Sequence, residues 1–205
     1  MINMKKLATI ASILAVCTSS AAMAKTEGNY FEVDLLRAQQ VSKYKTNGVP
    51  TPGYGRFEDE HTGYGLSYKH AFNLGNNVFV APGVFYDHIG TMASDKIGET
   101  AQIKSRYGAK FDVGYDLTDK VNVYFTNGLS NAQYTSNWQN SAGAPKTSKS
   151  TLRYFYGAGA SLAVSKNVSL NVEYNQQHLA LATPTEGLNT RTKLKVAKIG
   201  VSYHF

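Results

Sequence analysis

Apolar and polar residues alternate one by one through most of this chain. In residues 106–117, Tyr107, Ala109, Phe111, Val113, Tyr115 and Leu117 share one parity, and Arg106, Gly108, Lys110, Asp112, Gly114 and Asp116 share the other. A repeat of two puts such sets on opposite faces of a strand. Phe31, Val33 and Leu35 oppose Glu32 and Asp34 in the same way, and Tyr64, Leu66 and Tyr68 oppose Ser67 and Lys69. Further on, Val123 and Phe125 oppose Tyr124 and Thr126, and Leu152, Tyr154 and Tyr156 oppose Arg153, Phe155 and Gly157. Val172 and Tyr174 oppose Glu173, and Ala197, Ile199, Val201, Tyr203 and Phe205 oppose Lys198, Gly200, Ser202 and His204. The stretch 78–86 is apolar on both parities and contains Pro82, so its facing stays open, although it is bounded like a strand. With it the pattern predicts eight strands.

The connections alternate in length. Residues 73–77, 118–120 and 165–167 are short and rich in turn formers, as tight hairpins require. The stretches 38–61, 88–105, 131–151 and 176–192 are long, polar and all on the other end of the hairpins; they read as four long loops. Loops longer than about 12–15 residues are unusual in compact soluble domains.

The solvent on the apolar face follows from composition. Charged residues are 17% of the chain, below the share of about 25% usual in soluble domains. Tyr and Phe crowd the apolar face near strand ends, while Gly, Ser and charge fill the other. Apolar side chains that face lipid around a polar lumen, even strand number, short turns on one side and aromatic girdles are features of outer-membrane barrels. Eight strands of about 9–11 residues use about 80 residues, which suits this length. No apolar run of about 20 residues exists for a membrane helix. The composition, with many aromatics and few charges, excludes a disordered polyelectrolyte.

Lys5 and Lys6 precede an apolar run from Leu7 to Val16, and a small-residue stretch ends in Ala22-Met23-Ala24. This is the layout of a secretory signal cleaved after Ala24, with residues 25–205 forming the barrel domain. A lipoprotein signal at Cys17 is the rival, and bulky Val16 before that Cys fits it poorly. Removing 1–24 takes two of the seven net positive charges and the single cysteine. The remainder, without thiols, suits an oxidising compartment and excludes a disulfide scaffold.

With these features the chain resembles the small eight-stranded outer-membrane barrels of Gram-negative bacteria, of the OmpX, Ail, opacity and OmpA-barrel type. The resemblance rests on the signal, the alternating strands and the ending Ile199-Gly200-Val201-Ser202-Tyr203-His204-Phe205. It implies an all-β, eight-stranded antiparallel up-and-down transmembrane barrel with three short periplasmic turns, in the outer membrane. It also implies that Ile199, Val201, Tyr203 and Phe205 form the signal read by the barrel-assembly machinery. The chain lacks the peptidoglycan-binding domain that follows the barrel in full-length OmpA.

The lumen face carries Lys69, Arg106, Lys110, Arg153 and Lys198 against Glu32, Asp34, Asp112, Asp116 and Glu173. Five charges of each sign predict a paired network filling a narrow interior. The alternative is a narrow passive channel for ions or small solutes, which would more naturally carry one sign. Net positive charge then lies outside the lumen. Arg37, Lys193 and Lys195 are predicted to meet at the outer rim, because first and last strands adjoin in a closed barrel. Such cations suit lipopolysaccharide phosphates, or simple solvation at the rim.

Glu58-Asp59-Glu60-His61 is read as a solvated acidic run, with divalent-cation binding as the alternative. Tyr44, Tyr54, Tyr134 and Trp138 offer either a contact surface for host or other surface ligands or mutual bracing. Lipid A deacylases of this architecture place Ser two residues after His, and none of His61, His70, His88, His178 and His204 has that spacing. Asp87-His88, with Ser94 or Ser105 in reach, is a weak triad candidate. No phosphate-cradling glycine motif or concentrated basic stripe is present, so no cofactor and no nucleic acid partner is expected. The expected function is therefore non-enzymatic: a barrel that presents its outer segments, supports envelope integrity and mediates adhesion.

Overall fold

The computed structural model describes residues 27–46, 49–50, 56–94, 99–138, 147–182 and 188–205. The expected signal at 1–24 lies outside them. Eight long strands carry the fold: β1 (Gly28–Thr46), β2 (Arg56–Gly75), β3 (Val78–Ser94), β4 (Glu99–Asp116), β5 (Val121–Trp138), β6 (Thr147–Ala163), β7 (Val168–Ala182) and β8 (Leu188–His204). A two-residue strip, Val49–Pro50, pairs back onto Lys45 and Thr46. Each strand pairs antiparallel with its sequence neighbours, and β1 pairs with β8 from Tyr30↔His204 to Thr46↔Leu188. The sheet is thus a closed barrel with no free edge through its lower part, which lipid demands of a spanning sheet.

Parity sets the two faces. Phe31, Val33, Leu35, Phe125, Ile199 and Val201 point out and are exposed; Glu32, Asp34, Tyr124 and Lys198 point in and are buried. Tyr64, Tyr86, Tyr107, Tyr154 and Tyr174 ring the outer end of this apolar belt, and His88 stacks on Tyr64. At the turn end, Asn76 and Asn77 both adopt left-handed φ, 52° and 64°. That is the two-residue hairpin geometry that matches strand twist, and Asn tolerates it better than most residues.

The strands are longer than a bilayer needs. Most of 38–61, 88–105, 131–151 and 176–192, expected as loops, is strand. The alternation faded there because the outward face no longer meets lipid, while the inward face mixes Ile89, Ile103, Tyr134 and Leu179 with Gln40, Ser42, Thr91 and Thr192. The outer arms are also not one closed wall. The β2–β3 ladder ends at Tyr64↔His88, and the β6–β7 ladder ends at Phe155↔Gln177. Beyond those pairs the ladders join β7-β8-β1-β2 into one sheet and β3-β4-β5-β6 into another. Leu36, Ala38, Leu179, Leu194 and Val196 of the first sheet pack against Ile89, Ile103, Ala132 and Tyr134 of the second. The outer half is in effect a small β-sandwich standing on a barrel.

Candidate functional site

The lumen is built in layers. Nearest the turns, Ala71, Phe79, Ala81 and Tyr124 form an apolar cluster, with Tyr30 against it. The charged layer comes next. Lys69 Nζ donates to Asp112 Oδ2 at 3.1 Å. Lys110 Nζ lies 3.5 Å from Glu173, 3.7 Å from Glu32 and 3.9 Å from Asp112. Lys198 Nζ donates to Asp87 Oδ1 at 2.6 Å and to Asp34 Oδ2 at 3.5 Å. Arg106 Nε donates to Asp87 Oδ2 at 2.9 Å, and its Nη2 to Asn175 Oδ1 at 2.8 Å. Arg106 and Asp87 are both 0% exposed. The Arg106 guanidinium also lies over Phe85 and Phe155, 5.3 and 5.5 Å from the ring centres. Above this layer sits the apolar cluster that joins the two outer sheets.

Small residues make room for the charges. A Cβ on Gly65 would stand 2.6 Å from Asp87 Oδ1, and one on Gly200 would strike Asp34 Oδ1. Two inward glycines on β2 and β8 thus let two carboxylates share Lys198.

Eight of the ten expected lumen charges, Glu32, Asp34, Lys69, Arg106, Lys110, Asp112, Glu173 and Lys198, lie in this buried layer. Asp116 is half-buried and lines a cavity of about 420 Å³ at the turn end, with Tyr30, Asn73, Lys120, Ser169 and His204. Arg153 departs from expectation. It has the inward parity, but it is exposed and joins no ion pair among the described residues, because the wall beside it stops at Phe155↔Gln177. Asp87 was missed. It binds two cations, yet it follows the doubly apolar stretch 78–86, whose facing could not be read.

At the rim, Arg37 Nε donates to Glu60 Oε2 at 3.0 Å, and Lys195 Nζ donates to Gln39 Oε1 at 3.0 Å. Gln39 also donates to Glu60, at 3.3 Å. Glu60 thus belongs to an ion pair, and among the described residues no group of three or more His, Cys, Asp or Glu could hold a metal ion. Lys193 is half-buried beside His178. Tyr134, expected as a loop aromatic, is buried inside the outer apolar cluster. The side chains of Tyr44, Tyr54 and Trp138 lie outside the described residues. Asp87 and His88 point to opposite faces of β3, Asp87 inward to Arg106 and His88 outward onto Tyr64, so they do not form a relay.

A closed, lipid-belted barrel of eight antiparallel strands is the architecture of small outer-membrane proteins. The chain belongs to the family described as outer membrane protein beta-barrel domain, which matches residues 8–205. It is a protein of the Gram-negative outer membrane. Among solved structures, the outer membrane protein OprG from Pseudomonas aeruginosa is similar at 12% identity, over 91% of this chain and 99% of that one, with a TM-score of 0.52. Neisserial surface protein A is similar at 16% identity, over 87% and 97%, with a TM-score of 0.50. Ail, the attachment invasion locus protein of Yersinia pestis, shares 17% identity over 87% and 99%, with a TM-score of 0.47. Likeness at these identities concerns the fold alone. No curated protein matches the chain.

Proposed function

We propose that this barrel is a non-enzymatic surface protein: its lower half anchors it, and its outer sheets contact molecules at the cell surface and support envelope integrity. The observation that carries this reading is the filled lumen. A charged layer with 0% exposure at Arg106, Asp87 and Asp112 lies between two apolar clusters, so a solute would have to displace packed side chains and ion pairs to pass. Planar-bilayer recording of the pure protein tests it: no steady current is expected, and steady ion-selective conductance would refute it. Deleting residues 47–55, 95–98, 139–146 or 183–187, one segment at a time, should reduce adhesion or serum survival without loss of barrel folding.

Two finer roles belong to the same reading. Arg37, Lys193 and Lys195 contact lipopolysaccharide phosphates at the rim; replacing all three by Gln should lower lipopolysaccharide retained through purification. The Arg37–Glu60 pair leaves Lys193 and Lys195 as the freer cations there. Ile199, Val201, Tyr203 and Phe205, all outward and exposed, serve as the assembly signal. Removing Phe205 should slow insertion by the assembly machinery; an unchanged rate would refute that role.

A further inference from the structure

We propose that the split between β6 and β7 is a binding site for the phosphorylated sugar headgroup of an outer-leaflet lipid. The proposal rests on the reading that the outer rim meets lipopolysaccharide, and it names a separate place for that contact. The split opens at the level of the outer tyrosines, since Tyr154 is its first unpaired residue on β6 and Tyr174 lies just below it. That is headgroup depth in a barrel whose girdle marks the membrane interface.

The backbone there is available. Ala163 N–H donates to the Lys120 carbonyl and Val164 N–H to the Val168 carbonyl, so odd residues of β6 turn their polar backbone groups toward β5 and even residues toward β7. In an antiparallel strand, alternate residues send both N–H and C=O to the same side. Tyr154, Leu152 and Ser150 therefore turn their N–H groups into the split, where no strand pairs with that side of β6. The charge there matches. Arg153 and Lys149 are exposed on one shore and His178 on the other, with Arg191 exposed and Lys193 half-buried on β8 behind it. Neither Arg153 nor Lys149 joins an ion pair among the described residues. Across β5 to β8 the one acid is Glu173, which is buried and held by Lys110 and Asn175. Free N–H groups beside a guanidinium and an ammonium are the donors that phosphate oxygens take. Leu152 and Tyr154, outward and exposed on the same arm, supply the apolar contact that favours a lipid over a free anion. The opposite split, between β2 and β3, is flanked instead by Glu58, Asp59 and Glu60.

The test uses the barrel refolded in phosphatidylcholine vesicles with and without lipopolysaccharide, and measures lipopolysaccharide retained per barrel. Lys149→Gln with Arg153→Gln should retain about tenfold less. Tyr154→Cys with His178→Cys closes the split at the next register pair, in a mature chain that has no other cysteine. Once oxidised it should retain about as little as Lys149→Gln/Arg153→Gln, with Lys149 and Arg153 still in place, and it should retain more when the same variant is reduced. Arg153→Glu does the same without relying on the bond. Dephosphorylated lipopolysaccharide should bind the unaltered barrel as weakly as the intact lipid binds these variants. Retention unchanged in the closed form, or in Lys149→Gln/Arg153→Gln, overturns the site. If Arg37→Gln/Lys195→Gln lowers retention while the split variants do not, the rim reading stands and the split falls. If the unaltered barrel retains none, both fail. Displacement of the lipid by a soluble sulfated polysaccharide at equal charge overturns the lipid assignment.

Discussion

Substituting Arg106 by Met decides whether the charged layer is dry. The side chain is fully buried, donates to Asp87 and Asn175, and lies against Phe85 and Phe155. Met keeps much of the apolar packing and removes the charge. Asp87 then retains only Lys198, at 2.6 Å, and Asn175 loses a donor to its Oδ1. Removing one partner of a buried pair costs roughly 3–5 kcal/mol, whereas an exposed pair is worth roughly 0.2–1 kcal/mol. Because Lys198 still holds Asp87, the lower end applies, about 3 kcal/mol. At a urea slope of about 2 kcal/mol/M the unfolding midpoint falls by about 1.5 M. The assay is equilibrium urea unfolding in vesicles, followed by the fluorescence of Trp138, the single tryptophan. Asp87→Leu should cost more, about 5 kcal/mol, since it takes from Arg106 its acid partner and leaves Lys198 only Asp34, at 3.5 Å. The double variant should cost less than the two singles together, because the pair is coupled. Arg37→Gln is the internal control: its pair with Glu60 is 70% and 43% exposed, so the loss should stay below about 1 kcal/mol. A cost below about 1 kcal/mol for Arg106→Met would refute a dry lumen and make a water-filled one the better description.

Gly200→Val forces a side chain onto Asp34 and should destabilise by about 1–3 kcal/mol in the same unfolding assay, as overpacking does. Asn77→Val should cost about 1–2 kcal/mol at its left-handed φ, while Asn77→Gly should leave the midpoint unchanged or raise it. Leu36→Ser with Leu194→Ser loosens the outer apolar cluster but leaves the charged and turn-side layers in place. It should remain non-conducting in planar bilayers, and an open current would show that the outer cluster alone seals the lumen.

The lower barrel was legible because lipid on one face and a packed lumen on the other write a period of two into every strand. Glu32, Asp34, Lys110, Asp112, Glu173 and Lys198 were placed by parity alone. β3 was not, since Phe79 and Phe85 fill the lumen while Val84 and Tyr86 face lipid, and the two apolar faces cancel the signal. Pro82 has no N–H to give, and the β2–β3 ladder skips from Lys69↔Gly83 to Phe72↔Val80 around it. Asp87 was hidden for the same reason. The outer arms escaped because Gln40, Ser42, Thr91 and Thr192 are lumen residues that look like loop residues. Arg153 obeyed its parity, but parity cannot report that a neighbouring strand has stopped pairing.

The pairing inside the lumen also fixes an order of events. Lys198 sits on the last strand, and its acids, Asp34 and Asp87, precede it by 164 and 111 residues. Until β8 meets β1, Asp34 lacks Lys198 and Asp87 has only Arg106. A barrel short of its last strand is therefore penalised electrostatically as well as by its open edges. Closure and neutralisation become a single cooperative step, and half-made barrels should be rare and short-lived.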